Sequence, residues 1–99
     1  MMRGTTPTIR MNLTHIDPAT VAEAYLTIKQ PGYTLEKSLS DATVGETYLE
    51  WSLAQTETLA LQKQPTCQIQ ARYRLTSGKA YASRIFNIRV DDILKEGEI

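Results

Sequence analysis

The sequence has little of the chemistry that metal sites and disulfide frameworks require. Its 99 residues include one cysteine, Cys67, and one histidine, His15. A lone cysteine forms no internal disulfide, which excludes a disulfide-stapled scaffold and fits a reducing compartment. One histidine and one cysteine are too few ligands for a structural zinc site. We therefore expect Cys67 in the core, His15 in a turn, and no cofactor.

Long apolar runs are also missing. No run approaches the roughly 20 residues that cross a bilayer, and residues 1–7 lack the apolar stretch of a signal peptide. We expect no membrane partner and no export by the standard route. Eleven basic and eleven acidic residues give zero formal net charge, so the composition does not favour a nucleic-acid partner. The length and the 41% hydrophobic content predict one domain over residues 1–99.

Acidic residues are absent from Thr58 to Val90. The same segment contains six cations: Lys63, Arg72, Arg74, Lys79, Arg84 and Arg89. Such asymmetry is typical either of a solvated basic face balanced by acidic neighbours or of an interface. Arginine is enriched where proteins meet, so our hypothesis for a contact surface names four residues: Arg72, Arg74, Arg84 and Arg89.

Recognisable catalytic motifs are absent: there is no glycine-rich phosphate loop, no Gly-x-Ser-x-Gly and no His-Glu-x-x-His. Glu36 and Glu50 could face each other across a polar sheet surface, as glycosidase carboxylates do. The adjacent Asp91 and Asp92 could bind a cation, although calcium prefers six or more oxygens. A short chain leaves little room to build a cleft, so the sequence predicts a protein that is not an enzyme.

Alternation of apolar and polar side chains is the main pattern that is present. Six stretches follow it: residues 6–14, 24–29, 33–39, 48–53, 67–75 and 80–90. One apolar and one polar face per strand is typical of antiparallel sheets with one face in water. Trp51, the largest apolar side chain, is expected at the centre of the core.

Turn residues separate these stretches. Pro31-Gly32 predicts a tight turn between the second and third strands, and Ser77-Gly78 predicts another before the last strand. Asp17-Pro18 favours a capped helical turn near residues 19–22. A second short helical segment is expected within residues 55–62, and a loop is expected at 41–46.

The last stretch breaks its own alternation at Arg84 and Ile85. The stretch presents these residues on one face: Ala80, Ala82, Phe86, Ile88 and Val90. A bulge near Ser83–Ile85 would reconcile the break with that row. Residues 91–99 are expected to form a helical turn or a loose tail. Six or seven short strands with one or two helical turns predict an all-β, antiparallel two-sheet sandwich.

Five segments carry a family resemblance: Met2–Thr8, Ala24–Ile28, Gln55–Leu59, Ile69–Arg72 and Ile93–Ile99. They resemble the short, mostly uncharacterised proteins encoded in phages and prophages of Gram-positive bacteria. The chain is similar in style to the immunoglobulin-like N-terminal domains of phage baseplate upper proteins, which dock a receptor-binding apparatus onto the tail. It lacks the long helical extension of those proteins, which leaves open a baseplate part, a tail accessory or a head decoration. The resemblance implies an immunoglobulin-like sandwich and transfers no catalytic residue.

Pattern and resemblance together lead to one functional expectation. The chain is expected to be a non-enzymatic virion component, an oligomer that binds other virion proteins or copies of itself. Its expected location is the virion, and the host cytoplasm during assembly. The alternative is a carbohydrate-binding module, in which sugars would stack on four tyrosines: Tyr25, Tyr33, Tyr48 and Tyr81. A small enzyme and a small regulatory phage protein are weaker alternatives.

Overall fold

The computed structural model describes residues 1–62 and 66–99. Lys63 of the basic segment therefore lies outside the described residues. The strands are Thr8–Asn12 (β1), Val21–Gln30 (β2), Tyr33–Ser38 (β3), Thr43–Val44 (β4), Tyr48–Ser52 (β5), Thr66–Leu75 (β6), Ala80–Ala82 (β7) and Phe86–Arg89 (β8). One α-helix spans Gln55–Leu59 (α1), and 3-10 turns span Pro18–Thr20 and Leu39–Asp41.

The strands form two antiparallel sheets, which confirms the predicted sandwich. The smaller sheet has the order β1-β5-β4. The larger has the order β3-β2-β6, and both β7 and β8 pair with the free side of β6. Buried side chains from both sheets form a single core cluster, including Leu26, Ile69, Leu49 and Trp51.

The strand order within each sheet is the one found in immunoglobulin sandwiches. β1, β5 and β4 take the places of strands B, E and D, while β3, β2, β6 and the β7/β8 pair take those of C′, C, F and G. In that fold a further strand, A, lies beside strand B. Among the described residues only β5 pairs with β1, and the N-terminal segment makes one parallel bridge, from Met2 to Asp91.

Trp51 lies at the centre of the core, as predicted, with no exposed surface. Its strand, β5, is the middle strand of the smaller sheet. The indole Nε1–H crosses to the other sheet and donates to the carbonyl oxygen of Ser38 at 2.9 Å. The side chain therefore contributes apolar burial and a hydrogen bond that fixes one sheet against the other.

The helical turns form where polar side chains satisfy free backbone donors. Asp17 accepts from the N–H of Ala19 at 3.0 Å, and the turn is Pro18–Thr20 rather than 19–22 because β2 already begins at Val21. The predicted helix within residues 55–62 is shorter, Gln55–Leu59, and Glu57 accepts from the N–H of Ala54 at 2.7 Å. The predicted loop at 41–46 contains the two-residue strand β4.

Lys37 interrupts the apolar row of β3 for a structural reason. It lies on the inward side of the sheet, opposite the buried Leu26, and its ammonium is 2.8 Å from the carboxylate of Glu57 on α1. Both side chains are about four-fifths covered. A charge on the inward face is tolerated because the helix supplies the counter-ion.

The last predicted strand is divided by an extra residue between β7 and β8. Tyr81 pairs with Tyr73, whereas Phe86 pairs with Ile69, so the register shifts by one residue across Ser83–Ile85. The hydroxyl of Ser83 accepts from the N–H of Ala71 at 3.1 Å and so replaces a missing ladder carbonyl. This is the predicted bulge.

The bulge changes which residues share a face. Ala80 and Ala82 lie opposite the outward-facing Arg74 and Arg72, so their predicted place beside Phe86 is wrong. Tyr81 instead faces inward, together with Phe86 and Ile88. These three residues lie opposite inward-facing residues of β6, namely Tyr73, Ile69 and Cys67 in the same order. A period-two pattern cannot be carried across an inserted residue.

Residues 91–99 form no helix, and their only strand-like pairing within the described residues is the bridge from Asp91 to Met2. Their side chains and backbone nevertheless make specific contacts. The guanidinium of Arg3 binds Asp92 at 2.7 Å and Glu96 at 2.9 Å, and also donates to the carbonyls of Leu59 and Leu61. Gln55 makes two hydrogen bonds to the backbone of Ile99. The segment expected to be a turn or a loose tail is therefore tied to α1 and to the N-terminal residues.

We predict that Trp51→Phe destabilises the fold by about 2–4 kcal/mol, because it leaves the Ser38 carbonyl unpaired and opens a cavity in the core. Urea unfolding followed by far-UV circular dichroism measures the change. Tyr25→Phe, at an exposed position on the outer face of β2, is the matched control and should change stability by less than about 0.5 kcal/mol. Equal effects of the two substitutions would contradict the central role of Trp51.

We also predict a pH-dependent contribution from Asp41. Its carboxylate accepts from the N–H and hydroxyl of Ser38, at 2.9 and 3.3 Å, and the backbone bond in particular lowers its pKa below the usual 3.8. A lowered folded-state pKa gives stability that is present above the unfolded pKa and lost as the pH falls through the folded pKa.

Between about pH 5 and pH 2, the wild type should therefore lose more stability than Asp41→Asn, which has no charge to lose. Urea midpoints at a series of pH values measure this difference. Glu46→Gln, at an exposed position in the same loop, controls for removal of an acidic charge. Parallel curves for the wild type and Asp41→Asn would rule out the contribution.

Candidate functional site

The sandwich is open along one side, between β1 and the β7/β8 edge. A groove of about 470 Å³ lies there, within the range of roughly 300–1,000 Å³ that is typical of binding pockets. Its floor includes the buried Trp51 and Leu26, and one wall is formed by Ile9 and Met11 of β1. We call this the open-side groove.

The opposite wall of the open-side groove contains exposed aromatic rings. Tyr81 is 41% exposed and Phe86 is 39% exposed. The ring of Tyr81 stacks on that of Tyr73, with centroids 5.3 Å apart. Large rings half in water beside a covered floor are characteristic of a surface that gains stability when a partner covers it.

The backbone of β1 is unpaired along this side. In an antiparallel pair, residues alternate between those that bond to the neighbour and those that point away from it. Leu13 donates to Thr47 and the Pro7 carbonyl accepts from Leu53, so the odd-numbered residues bond to β5. The N–H and C=O groups of Thr8, Arg10 and Asn12 therefore face the open side.

Two cations flank the mouth of the groove. On one side, Arg10 lies 3.8 Å above the ring of Tyr48, with Nε and Nη2 within 2.8 Å of Glu50. On the other side, Arg84 lies 4.4 Å above the ring of Phe86. Within the described part of the chain, no carboxylate lies within ion-pair distance of Arg84. Among residues 1–62 and 66–99, Arg10 is the one charged residue that lines the groove.

The four arginines of the predicted contact surface do not form one patch. Arg72 and Arg74 are neighbours on the outer face of β6, where Arg74 is 3.7 Å from Glu23. Arg89 is ion-paired with Asp91 and lies opposite Thr66 of β6. Thr66 is six residues from Arg72 along that strand, which is about 20 Å at ~3.3 Å per residue. None of the four lines the open-side groove, although the guanidinium of Arg84 lies over the ring of Phe86 on its wall.

The carboxylate pairs of the sequence are not brought together. Glu36 lies on the outer face of the larger sheet, whereas Glu50 is in the smaller sheet and binds Arg10. Asp91 forms an ion pair with Arg89, whereas Asp92 forms one with Arg3. Residues 1–62 and 66–99 contain no cluster of three or more potential metal ligands.

The four tyrosines proposed to stack on sugars lie in different places. Tyr25 is on the outer face of the larger sheet, and Tyr48 is covered by Arg10 on the smaller one. Tyr33 donates to the carbonyl of Glu57 at 3.3 Å, while Tyr81 faces the groove. They do not form a shared platform.

The lone histidine and cysteine occupy the predicted environments. His15 is exposed in a bend, with a left-handed φ of 62°. Cys67 is in the core with no exposed surface, and burial raises the pKa of its thiol.

The sequence reasoning missed the open-side groove, although one signal was present. Pro7 cannot donate a ladder hydrogen bond, so the predicted strand at residues 6–14 should either begin there or lie at a sheet edge. Which side of that edge stays uncovered depends on how the sheets pack. That information is not contained in the pattern of one strand.

Comparison with families of known proteins, with curated proteins and with solved structures found no match to this chain. No helix in the described part of the chain has the length and apolar character to cross a membrane.

We predict that Cys67 does not react with Ellman's reagent in the folded protein at about pH 8, because burial both covers the sulfur and disfavours the thiolate. It should react fully after unfolding in guanidinium chloride. A cysteine introduced at an exposed turn, Ser77→Cys with Cys67→Ala, should react at once in the folded state. Rapid reaction of native Cys67 would contradict the packing around β6 and β8.

Proposed function

We propose that this chain is a structural component of a phage particle that acts by binding other proteins, not by catalysis. The observation that supports it is the open-side groove, an apolar cleft beside an unpaired strand edge. Such an edge offers backbone donors and acceptors to a neighbouring chain. A groove with a buried floor and one wall of exposed aromatic rings adds apolar surface to the same contact.

The phage context of the proposal comes from the sequence. Five segments spread along the chain resemble proteins encoded in phages and prophages. In a particle, a modest contact is repeated by symmetry, so one small domain contributes many equivalent interfaces. In this proposal the chain is found in the host cytoplasm during assembly and then in the virion, as an oligomer with itself or with other virion proteins.

The test is the composition of particles from a lysogen that encodes this chain. After induction and density-gradient banding, mass spectrometry should find the 11.1 kDa chain in a fixed ratio to the other structural proteins. Purified, isotope-labelled chain added to the lysate before banding controls for adsorption and should not band. A chain found only in the soluble fraction would exclude a virion role.

The oligomeric state is tested separately with the purified chain. Light scattering and chemical crosslinking at low and high salt should detect self-association or association with a purified virion protein. Because charged contacts weaken with ionic strength, an interface that includes Arg10 or Arg84 should weaken at high salt. A strict monomer that binds no virion protein at either salt concentration would count against assembly by protein contact.

A further inference from the structure

We propose that the open-side groove binds an extended segment of a partner protein, which adds to β1 as a fourth strand of the smaller sheet. The segment carries apolar side chains at alternate positions and a carboxylate opposite Arg10. This inference rests on the proposed assembly function and names the partner chemistry that the site would accept.

The backbone of β1 determines the binding mode. Thr8, Arg10 and Asn12 each direct an N–H and a C=O toward the open side, which gives six hydrogen-bonding groups in one row. An added antiparallel or parallel strand pairs with such a row through its own main chain. A small apolar ligand in the groove would leave these six groups in water. The edge therefore favours a peptide strand.

The groove determines which side chains the segment has. Ile9 and Met11 face the interior, so every second residue of an added strand would face it as well. Those residues would lie over Trp51 and Leu26, against the exposed rings of Tyr81 and Phe86 on the far wall. Apolar side chains at alternate positions fill this space, and their burial supplies the affinity.

The charges determine what lies between the apolar residues. Arg10 is on the outward face of β1, so it lies beside an outward residue of the added strand. Its Nε and Nη2 face Glu50, whereas Nη1 faces no carboxylate in the described residues. Arg84, which lies over the ring of Phe86, adds a second cation near the mouth, and no carboxylate of the described residues lies within ion-pair distance of it. A carboxylate on the segment would accept from the Nη1 group of Arg10, whereas an ammonium at that position cannot accept a hydrogen bond, so the groove favours the carboxylate.

A second copy of β1 fits this site poorly. When two copies of β1 pair in antiparallel fashion, the inward-facing residues of one must lie opposite inward-facing residues of the other. The register that pairs all five residues then places Arg10 opposite Arg10 of the second copy. Like charges directly opposite each other on paired strands are unfavourable. Registers shifted by two residues avoid this clash but pair only three of the five residues.

The C-terminal segment of a second copy also fits poorly. In an extended strand, Leu94, Glu96 and Glu98 lie on the same face, so a strand that turned Leu94 into the groove would also bury two carboxylates. A strand turned the other way would bury Lys95. In addition, this segment is already bound to Arg3 and Gln55 within its own chain. Neither of these two segments of a second copy has the side-chain pattern that the groove requires, and we therefore take the occupant to be a strand from a different protein.

The first experiment uses a synthetic heptapeptide, acetyl-SVEVTVS-amide, with Trp51 fluorescence as the readout. Trp51 is the only tryptophan and forms the groove floor, so a filled groove should change its emission saturably. The same peptide with lysine in place of glutamate should bind about tenfold more weakly or worse. A peptide of identical composition without alternation, acetyl-SEVVVTS-amide, should not bind.

A second measurement distinguishes strand addition from simple apolar binding. Hydrogen exchange followed by NMR should show that the amides of Thr8, Arg10 and Asn12 slow at least tenfold when the peptide is present. The amides of Ile9 and Met11, already bonded to β5, should change little. Emission changes without this protection would mean that the groove binds apolar molecules in general, and would overturn the proposal.

Proline substitutions test the edge directly. Asn12→Pro removes one outward N–H of β1 without removing a bond to β5, and should weaken peptide binding about tenfold. Thr34→Pro makes the same change on β3, the edge strand at the far side of the larger sheet, and should leave binding unchanged. Circular dichroism and urea unfolding establish that both variants are folded.

A charge exchange tests the role of Arg10. Arg10→Glu combined with Glu50→Arg keeps an ion pair between β1 and β5 but reverses the charge at the edge. The lysine peptide should then bind better than the glutamate peptide. An unchanged preference would exclude Arg10 as the selecting group.

The outcomes separate this inference from the proposed function. If the chain is present in purified particles but no alternating peptide binds or protects β1, the virion role stands and strand addition is wrong. If a peptide binds as described but the chain is absent from particles, strand addition stands and the virion role is wrong.

Discussion

The burial of Trp51 between the two sheets is the constraint on which the rest of the structure depends. Its ring fills the centre of a small core, and its N–H binds the Ser38 carbonyl of the opposite sheet. Ser38 is in turn held by Asp41, whose carboxylate accepts from its N–H. One chain of contacts thus fixes both the spacing and the orientation of the sheets. A domain of this size has few other buried large groups with which to do so.

The same packing leaves one side of the sandwich uncovered. The N-terminal residues do not pair with β1; they lie against α1 and the C-terminal segment, where Arg3 binds carbonyls and carboxylates from both. In the part of the chain that the structure describes, no strand takes the place beside β1 of the one that closes this side in immunoglobulin sandwiches. An apolar groove and an unpaired edge are the direct result, and both features of the candidate site follow from this arrangement.

Much of the fold was predictable because its signals are local. The alternation predicted the strands, and the core positions of Trp51 and Cys67 followed from it. The bulge at Ser83–Ile85 was also predictable, since Arg84 breaks the pattern at that point. The faces on either side of the bulge were not, because one inserted residue reverses the parity and places Tyr81, not Ala82, on the inner face. Lys37 is explained only by Glu57, which is 20 residues away in the chain.

The sequence by itself determined the class of fold, the core positions before the bulge and the approximate places of the turns, since these depend on side-chain periodicity and on the backbone preferences of proline, glycine and aspartate. The tertiary structure alone decided the strand order, the separation of the four arginines and the location of the groove. Those features depend on which strands become neighbours. Pairing between distant strands is set by the packing of the whole core, and no local pattern records it.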